Sequence, residues 1–155
     1  MRTKLAVAVM TGLVVLMALS ALQAQMMHQM LTEKQQVAAL DKAIAAGKQV
    51  YSDPKLGTNR ATCNSCHPNG GTTGGKVQAM GMDVPIPTLK GSAATFPKWK
   101  MGAGRVITLG EMNNGCITMF LKGKALEPKD PRYAQLAAYV TSLSKGKPVY
   151  PQLPR

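Results

Sequence analysis

Three segments of the chain carry apolar residues at helical spacing, and the first of them follows a polar start near residue 32. The apolar positions of this segment, separated by three, four and seven residues, are Val37, Leu40, Ile44 and Tyr51. This spacing places them on one face of a helix that runs from about Glu33 to Tyr51. Thr32 and Gln35 stand three residues apart at its start, which is the spacing of a capping box.

Two further helices are predicted towards the end of the chain. Thr108 and Glu111 form a second pair with capping-box spacing, and the helix that they open should run to about Leu121. The Asp-Pro pair at residues 130–131 is typical of a helix start, and Gly146 marks the expected end of this last helix. Its apolar stripe is predicted to consist of Tyr133, Leu136, Ala137, Val140 and Leu143.

The middle of the chain, from about Ser52 to Gly104, is rich in Gly, Pro, Asn and Thr. We see no internal repeat in it, and its apolar residues show little helical or strand periodicity. The pattern therefore predicts an all-α protein with three main helices joined by long loops.

One motif lies within these loops and carries clear chemistry. Residues 63–67 read CNSCH, which is the C-x-x-C-H attachment signature of a c-type haem. Cys63 and Cys66 can each add to one haem vinyl group, and His67 is placed to bind the iron. C-x-x-C is also half of a zinc site, but no second Cys/His pair follows at a suitable spacing. The motif therefore predicts one covalently bound haem c.

The N-terminus has the pattern of an export signal. Arg2 and Lys4 give a basic start, residues 5–22 are almost continuously apolar, and the sequence LQA at 22–24 is an imperfect small-residue cleavage site. We expect residues 1–24 to be removed outside the cytoplasm, where haem c is attached, and residues 25–155 to form one domain. A retained membrane anchor is the alternative, because the apolar run is about as long as a short membrane span.

The charge of the chain adds a prediction about partners. With 19 basic and 7 acidic residues, the formal net charge is +12, which fits equally a docking surface for acidic redox partner proteins and an ordinary solvated surface. The lysines are scattered, and an exported haem protein seldom meets nucleic acid, so we expect no nucleic-acid partner. The acids form no pair suited to hydrolytic or transfer catalysis.

The order of these features resembles the single-haem cytochrome c fold. Residues 47–51 (GKQVY) are similar to the glycine-then-aromatic pattern of its first helix, and residues 136–140 (LAAYV) resemble the segment of the last helix that crosses it. Residues 87–91 (PTLKG) are similar to the Pro-x-Leu-x-Gly loop of the family. The resemblance implies that the carbonyl of Pro87, or alternatively Pro85, accepts a hydrogen bond from the ring of the motif histidine.

The second axial ligand of the iron stays open at this point. Met112, Cys116 and Met119 lie at i, i+4 and i+7 on one predicted helix and share a face, which is also typical of ordinary packing. Once the haem takes two cysteines, Cys116 has no disulfide partner within the chain. If all three side chains reach the iron, the thiolate should be favoured in the ferric state. The other methionines that could serve are Met80, Met82 and Met101.

A narrower resemblance concerns residues 114–117 (NGCI) and 121–126 (LKGKAL). They resemble the ligand region of thiosulfate dehydrogenase and SoxA-type cytochromes, and of the NaxL and NaxS type subunits of anammox bacteria. This resemblance implies coordination by His67 and Cys116, and a heterodimer with a homologous cytochrome subunit. The chain has one C-x-x-C-H motif where thiosulfate dehydrogenase has two, so that enzyme's whole activity is not carried over.

Together these features predict an exported electron carrier of low potential with no substrate of its own. The alternative is a haem protein that binds NO, CO or a sulfur species, or a haem subunit of a redox enzyme complex. Two further side chains are candidates near the haem. Arg105 could donate to a buried thiolate, and Trp99 could donate to a haem propionate or serve only in packing.

Overall fold

The computed structural model describes residues 32–79 and 81–149. The predicted signal segment and Met80 lie outside the described residues. The chain divides into two units between residues 38 and 39, within the first helix. The helices and strands, in chain order, are α1 (Glu33–Tyr51), α2 (Cys63–Cys66), β1 (Gly75–Ala79), β2 (Met82–Ile86), β3 (Lys98–Lys100), β4 (Arg105–Ile107), α3 (Leu109–Met119) and α4 (Pro131–Ser142), with short 3-10 turns at Ala93–Thr95 and Met101–Ala103.

The predicted starts of α1 and α3 are confirmed, because both capping boxes form. The N–H of Gln35 donates to the Thr32 hydroxyl (3.3 Å) while the N–H of Thr32 donates to the Gln35 side chain (2.8 Å). The N–H of Glu111 donates to the Thr108 hydroxyl (3.3 Å), and the N–H of Thr108 donates to the Glu111 carboxylate (2.7 Å). Each reciprocal pair satisfies backbone donors that a helix start leaves free.

The last helix also begins where the sequence predicts it. Pro131 is its first residue, and the Asp130 carboxylate accepts from the N–H of Arg132 at 3.0 Å. The helix ends at Ser142, four residues before the end predicted at Gly146, which has a φ of +75°, a conformation that favours glycine. The apolar stripe of this helix therefore has a defined start and end.

The all-α class is not confirmed, since the middle segment also forms two antiparallel hairpins. β1 pairs with β2 from Gly75–Ile86 to Ala79–Met82, and β3 pairs with β4 from Lys98–Ile107 to Lys100–Arg105. These strands are only three to five residues long, and most of their residues face solvent. Such short and largely exposed strands leave too few alternating apolar positions for the sequence to reveal them.

Helices α1 and α4 cross at Gly47. A Cβ atom added there would lie 1.9 Å from the carbonyl oxygen of Gln135 and 2.8 Å from the Cβ of Tyr139. One turn further along α1, the ring of Tyr51 meets the ring of Tyr139 edge to face, with the centroids 5.2 Å apart. This is the close crossing that the resemblance implied, and it requires a residue without a side chain at position 47.

The core lies where these two helices meet α3 and the loop that follows it. Its buried members are Val50, Tyr51, Leu56, Ile117, Leu121, Leu126, Leu136, Tyr139 and Val140. Val37 and Leu40, which the periodicity placed on the buried face of α1, are each 54% exposed. The helix therefore contributes to this core only through its last turns. Every helix in the described segments is too short or too polar to span a bilayer.

Candidate functional site

A cavity of about 370 Å³ opens beside this core. Its volume lies within the roughly 300–1,000 Å³ typical of ligand sites. Five residues that the sequence proposed for haem attachment or iron ligation line it together, namely Cys63, Cys66, His67, Met112 and Cys116. Because these residues come from two distant parts of the chain, the fold has brought together groups that the sequence could only propose separately.

The turn of helix α2 arranges the two motif cysteines. It begins after Thr62, whose N–H donates to the Ser65 hydroxyl at 3.0 Å. Cys63 and Cys66 are three positions apart on this turn and therefore share one face. The N–H of His67 closes the turn on the carbonyl of Cys63 at 3.0 Å. The two-residue gap in the motif thus places both thiols on the same side of the cavity.

The ring of His67 is oriented by the loop opposite. Its Nδ1 lies 2.8 Å from the carbonyl oxygen of Pro87. A carbonyl can only accept, so Nδ1 carries the proton and Nε2 keeps the lone pair that can bind a metal. Pro85, the alternative partner, lies within β2 opposite Lys76. The hydroxyl of Tyr51 donates to the backbone carbonyl of His67 at 2.6 Å and so fixes the main chain as well.

Further hydrogen bonds connect the histidine loop to the rest of the fold. The carbonyl of Gly71 accepts from the N–H of Leu89 (2.7 Å) and from the hydroxyl of Thr88 (3.0 Å). The hydroxyl of Tyr139, on α4, donates to the carbonyl of Gly70 at 2.8 Å. Segments 67–71 and 87–89 are therefore held together, which keeps the histidine ring against its acceptor.

Helix α3 supplies a further part of the wall. Met112 and Cys116 lie one turn apart and both line the cavity. Met119 lies at the end of the helix, does not line the cavity and is 64% exposed. Met82 and Met101 are also exposed and lie outside the lining. The structure therefore brings one cysteine and one methionine of this helix towards the site.

Asn114 anchors this helix to the loop that follows it. Its side-chain N–H donates to the carbonyl of Leu126 at 2.9 Å, and its side-chain oxygen accepts from the N–H of Leu126 at 2.8 Å. This pair of bonds closes the loop of residues 120–126 and is half-buried. The position of Cys116 along the cavity therefore depends on a side chain two residues before it.

We expect Asn114→Ala to lower the free energy of unfolding by about 2 kcal/mol, because one half-buried donor and one acceptor of Leu126 lose their partners. Urea unfolding followed by circular dichroism measures this loss. Asn59→Ala is the matched control, since its amide also makes two hydrogen bonds, to the carbonyl of Phe120 (2.8 Å) and from the N–H of Ala61 (3.1 Å), but both are exposed. Equal losses in the two variants would contradict the anchoring role.

Burial controls the ionisation of the thiols. It raises the pKa of the Cys63 thiol to about 12, with a smaller contribution from Cys116. Burial also raises the pKa of the Cys116 thiol. The charge of Cys66 raises this pKa further, and the charge of Lys100 lowers it. The protein alone therefore keeps these thiols neutral at pH 7. A thiolate in this cavity needs a positive partner such as a metal ion.

Trp99 and Arg105, the two other candidates from the sequence, do not line the cavity. Trp99 is 65% exposed and stands opposite Val106 in the hairpin of β3 and β4. The guanidinium of Arg105 forms a 2.8 Å salt bridge with Glu111. Strand alternation turns Trp99 away from the cavity, and the ion pair with Glu111 holds the Arg105 side chain outside it.

The polar residues that line the cavity and that sequence reasoning missed include Ser92, Lys98, Lys100 and Asn113. The Ser92 hydroxyl oxygen and the Asn113 side-chain nitrogen are buried, and neither has a hydrogen-bond partner among the described residues. Alternation in the sequence Lys-Trp-Lys puts both lysines on one face once a strand is known there, but three residues are too few to predict the strand. No local signal identifies Ser92 or Asn113.

The donor set fits a covalently attached haem. Two thiols on one helical turn, an imidazole with a free Nε2, mostly apolar walls and two buried polar atoms without partners suit a large apolar group that carries a metal and acceptor oxygens. In the described segments no three His, Cys, Asp or Glu side chains form a site for a bare metal ion. A porphyrin supplies four nitrogen ligands of its own, so one or two protein ligands suffice.

Comparison with known proteins gives one family. The family described as the SoxA/TsdA cytochrome c domain matches residues 46–149. The chain is 30% identical over 116 residues to thiosulfate dehydrogenase of Allochromatium vinosum, an alignment that covers 72% of this chain and 41% of that protein. It is 24% identical over 112 residues to thiosulfate dehydrogenase of Psychrobacter arcticus, covering 72% and 31%. The chain thus spans less than half the length of these relatives.

A solved structure has the same fold. Thiosulfate dehydrogenase (TsdBA) from Marichromatium purpuratum, in its as-isolated form, superposes with a TM-score of 0.55 and 20% sequence identity. The superposition covers 72% of this chain and 24% of that one. At this identity the similarity establishes the cytochrome c fold.

Proposed function

The chain belongs to the SoxA/TsdA cytochrome c domain family, and on that premise we propose that it is an exported monohaem electron-transfer protein whose iron is held by His67 and Cys116. A cytochrome c domain implies covalently bound haem c, and the family indicates a haem electron-transfer or redox-enzyme subunit. Cys63 and Cys66 are the proposed attachment residues. Residues 1–24 are the proposed signal peptide, and N-terminal sequencing of the secreted protein tests that boundary.

One observation carries this proposal: His67 and Cys116 line a single cavity from two different elements. The two motif thiols lie on the turn that ends at His67, so a haem attached there has the imidazole beside it and α3 as a further part of the cavity wall. When bound, the haem supplies a one-electron couple. The polypeptide holds the histidine ring through Pro87 and excludes water with apolar walls.

The proposed ligand pair sets the potential. A thiolate stabilises Fe(III) more than a neutral thioether does, so ligation by Cys116 gives a lower potential than ligation by Met112. A carrier of this kind exchanges electrons with low-potential donors and acceptors. Removal of residues 1–24 takes away Arg2 and Lys4 and leaves 17 basic and 7 acidic residues, and this positive charge supports acidic redox partner proteins.

A second function follows from the relatives. The curated relatives are thiosulfate dehydrogenases, and the neighbouring structure is named as a TsdBA assembly. This chain could therefore serve as the haem subunit of a redox complex with a homologous cytochrome. In that role the iron would open on reduction to NO, CO or a sulfur species. Rapid binding of CO by the reduced protein favours this second function.

The experiment that tests the proposal starts from protein expressed with a haem c maturation system. We expect intact-mass spectrometry to show one covalent haem, and the Cys63→Ala, Cys66→Ala variant to show none. The ferric protein should give a low-spin thiolate EPR signal at low temperature. A methionine-to-iron charge-transfer band would contradict Cys116 as ligand, and wild-type protein without covalent haem would contradict the whole proposal.

A further inference from the structure

Strand β3 presents two lysines to the cavity. Lys98 and Lys100 line it, whereas Trp99 between them is 65% exposed on the other face of the strand. The ammonium of Lys98 is held in place, since it donates to the Thr95 hydroxyl at 3.0 Å and lies 4.5 Å from the ring centroid of Phe96. Phe96 itself lines the cavity, so this positive charge is fixed at the cavity wall.

No carboxylate of the described segments compensates these two charges. The salt bridges found there involve Lys76, Arg105, Lys129 and Arg132, and neither lysine of β3 takes part in one. Two ammonium groups on residues that line one cavity repel each other. A negative charge inside the cavity would remove this cost.

Two neutral groups of the same cavity also need a partner. The side-chain nitrogen of Asn113 can only donate, and the hydroxyl of Ser92 can donate or accept. Both atoms are buried, and neither has a hydrogen-bond partner among the described residues. Buried polar atoms are nearly always hydrogen-bonded in folded proteins, so an oxygen acceptor is expected beside them.

We infer that Lys98 and Lys100, together with the Asn113 amide and the Ser92 hydroxyl, bind the propionate carboxylates of the haem. This inference rests on the proposed function, because it requires the haem to occupy the cavity. Carboxylates are the anionic groups of a haem, and they lie at the edge of the porphyrin away from its vinyl groups. A carboxylate in an apolar cavity is costly unless positive charges and N–H donors surround it, and these four residues supply both.

Charge-removing variants of the holoprotein test this inference. Lys98→Gln and Lys100→Gln each remove a positive charge from the cavity wall, and Lys145→Gln removes one from an exposed site outside the cavity. A nearby cation favours the ferrous state, so each cavity variant should shift the redox equilibrium towards Fe(III) by roughly tenfold, or about 59 mV for one electron. The Lys145→Gln control should shift the redox equilibrium less than twofold.

Three further measurements separate the possible outcomes. The potential of a haem with ionising propionates depends on pH, and removing a neighbouring cation should move that dependence to higher pH, because the carboxylate pKa rises. Lys98→Arg keeps the charge, so its redox equilibrium constant should stay within twofold of the wild-type value. Covalent haem content, measured first by mass, reports on the proposed function alone.

Two results would overturn the inference. The first is a cavity variant that behaves like Lys145→Gln in both potential and pH dependence. The second is a difference between wild type and variants that exists only when sulfate is added, because the lysines would then bind a dissolved anion instead of the haem carboxylates.

Discussion

Replacing Gly47 with alanine is expected to lower the free energy of unfolding by roughly 2–4 kcal/mol. The added Cβ would lie 1.9 Å from the carbonyl oxygen of Gln135, a backbone atom that cannot move without displacing α4. Alanine favours a helix over glycine by about 1 kcal/mol, but that gain is smaller than the cost of separating the two helices. The loosened crossing should also weaken the contact between Tyr51 and Tyr139, whose hydroxyls hold the histidine loop.

Urea unfolding of the purified protein measures this effect, with Gly115→Ala as the matched control. Gly115 also lies inside a helix, but a Cβ there would meet no heavy atom within 4 Å. The control should therefore gain about 0.5–1 kcal/mol, opposite in sign to the loss at position 47. If both variants were stabilised, the close crossing of α1 and α4 would be wrong.

The helix boundaries could be predicted because their signals are local. Thr108 and Glu111 specify the start of α3 through four atoms within one turn, and Asp130 with Pro131 does the same for α4. Which part of a helix meets the core is not local. Leu40 has the right spacing for the buried face of α1 but is half exposed, since the packing partners of that helix lie against its last turns.

The residues of the candidate site also fall into two groups, those that a local signal identifies and those that only the fold places at the site. The motif residues 63–67 define their own turn, so the sequence identifies them directly. For the side chains around them, residue type alone misdirected the prediction. Trp99 and Arg105 have suitable side-chain chemistry, but Lys98 and Lys100 are the residues of this hairpin that line the cavity. A three-residue strand gives too weak a pattern for its alternation to be predicted.

The arrangement links stability to the proposed chemistry. The loop that carries His67 is held by hydroxyls of the α1–α4 crossing, and the helix that carries Cys116 is held by Asn114 at its own loop. Two separate parts of the core therefore fix two parts of the cavity wall. A substitution that removes one of these hydroxyls or the Asn114 amide should therefore alter the distance between His67 and Cys116 without changing either side chain.

Cys116→Ser should have the largest effect on the haem. If Cys116 ligates the iron as a thiolate, serine removes the charge that stabilises Fe(III), and the midpoint potential should rise by on the order of 0.1 V or more. The low-spin thiolate signal should disappear from the ferric EPR spectrum, and the reduced protein should bind CO more readily. Covalent haem content should stay unchanged, because Cys63 and Cys66 are retained.

Met112→Leu is the matched control, since Met112 lines the same cavity one turn away and leucine has a similar volume. Its spectrum and potential should remain those of the wild type, as should those of Met119→Leu outside the cavity. The reverse pattern, an unchanged Cys116→Ser protein and an altered Met112→Leu protein, would assign the iron to methionine. The protein would then be a carrier of higher potential, and the Cys116 thiol would remain for packing or for a bridge to another subunit.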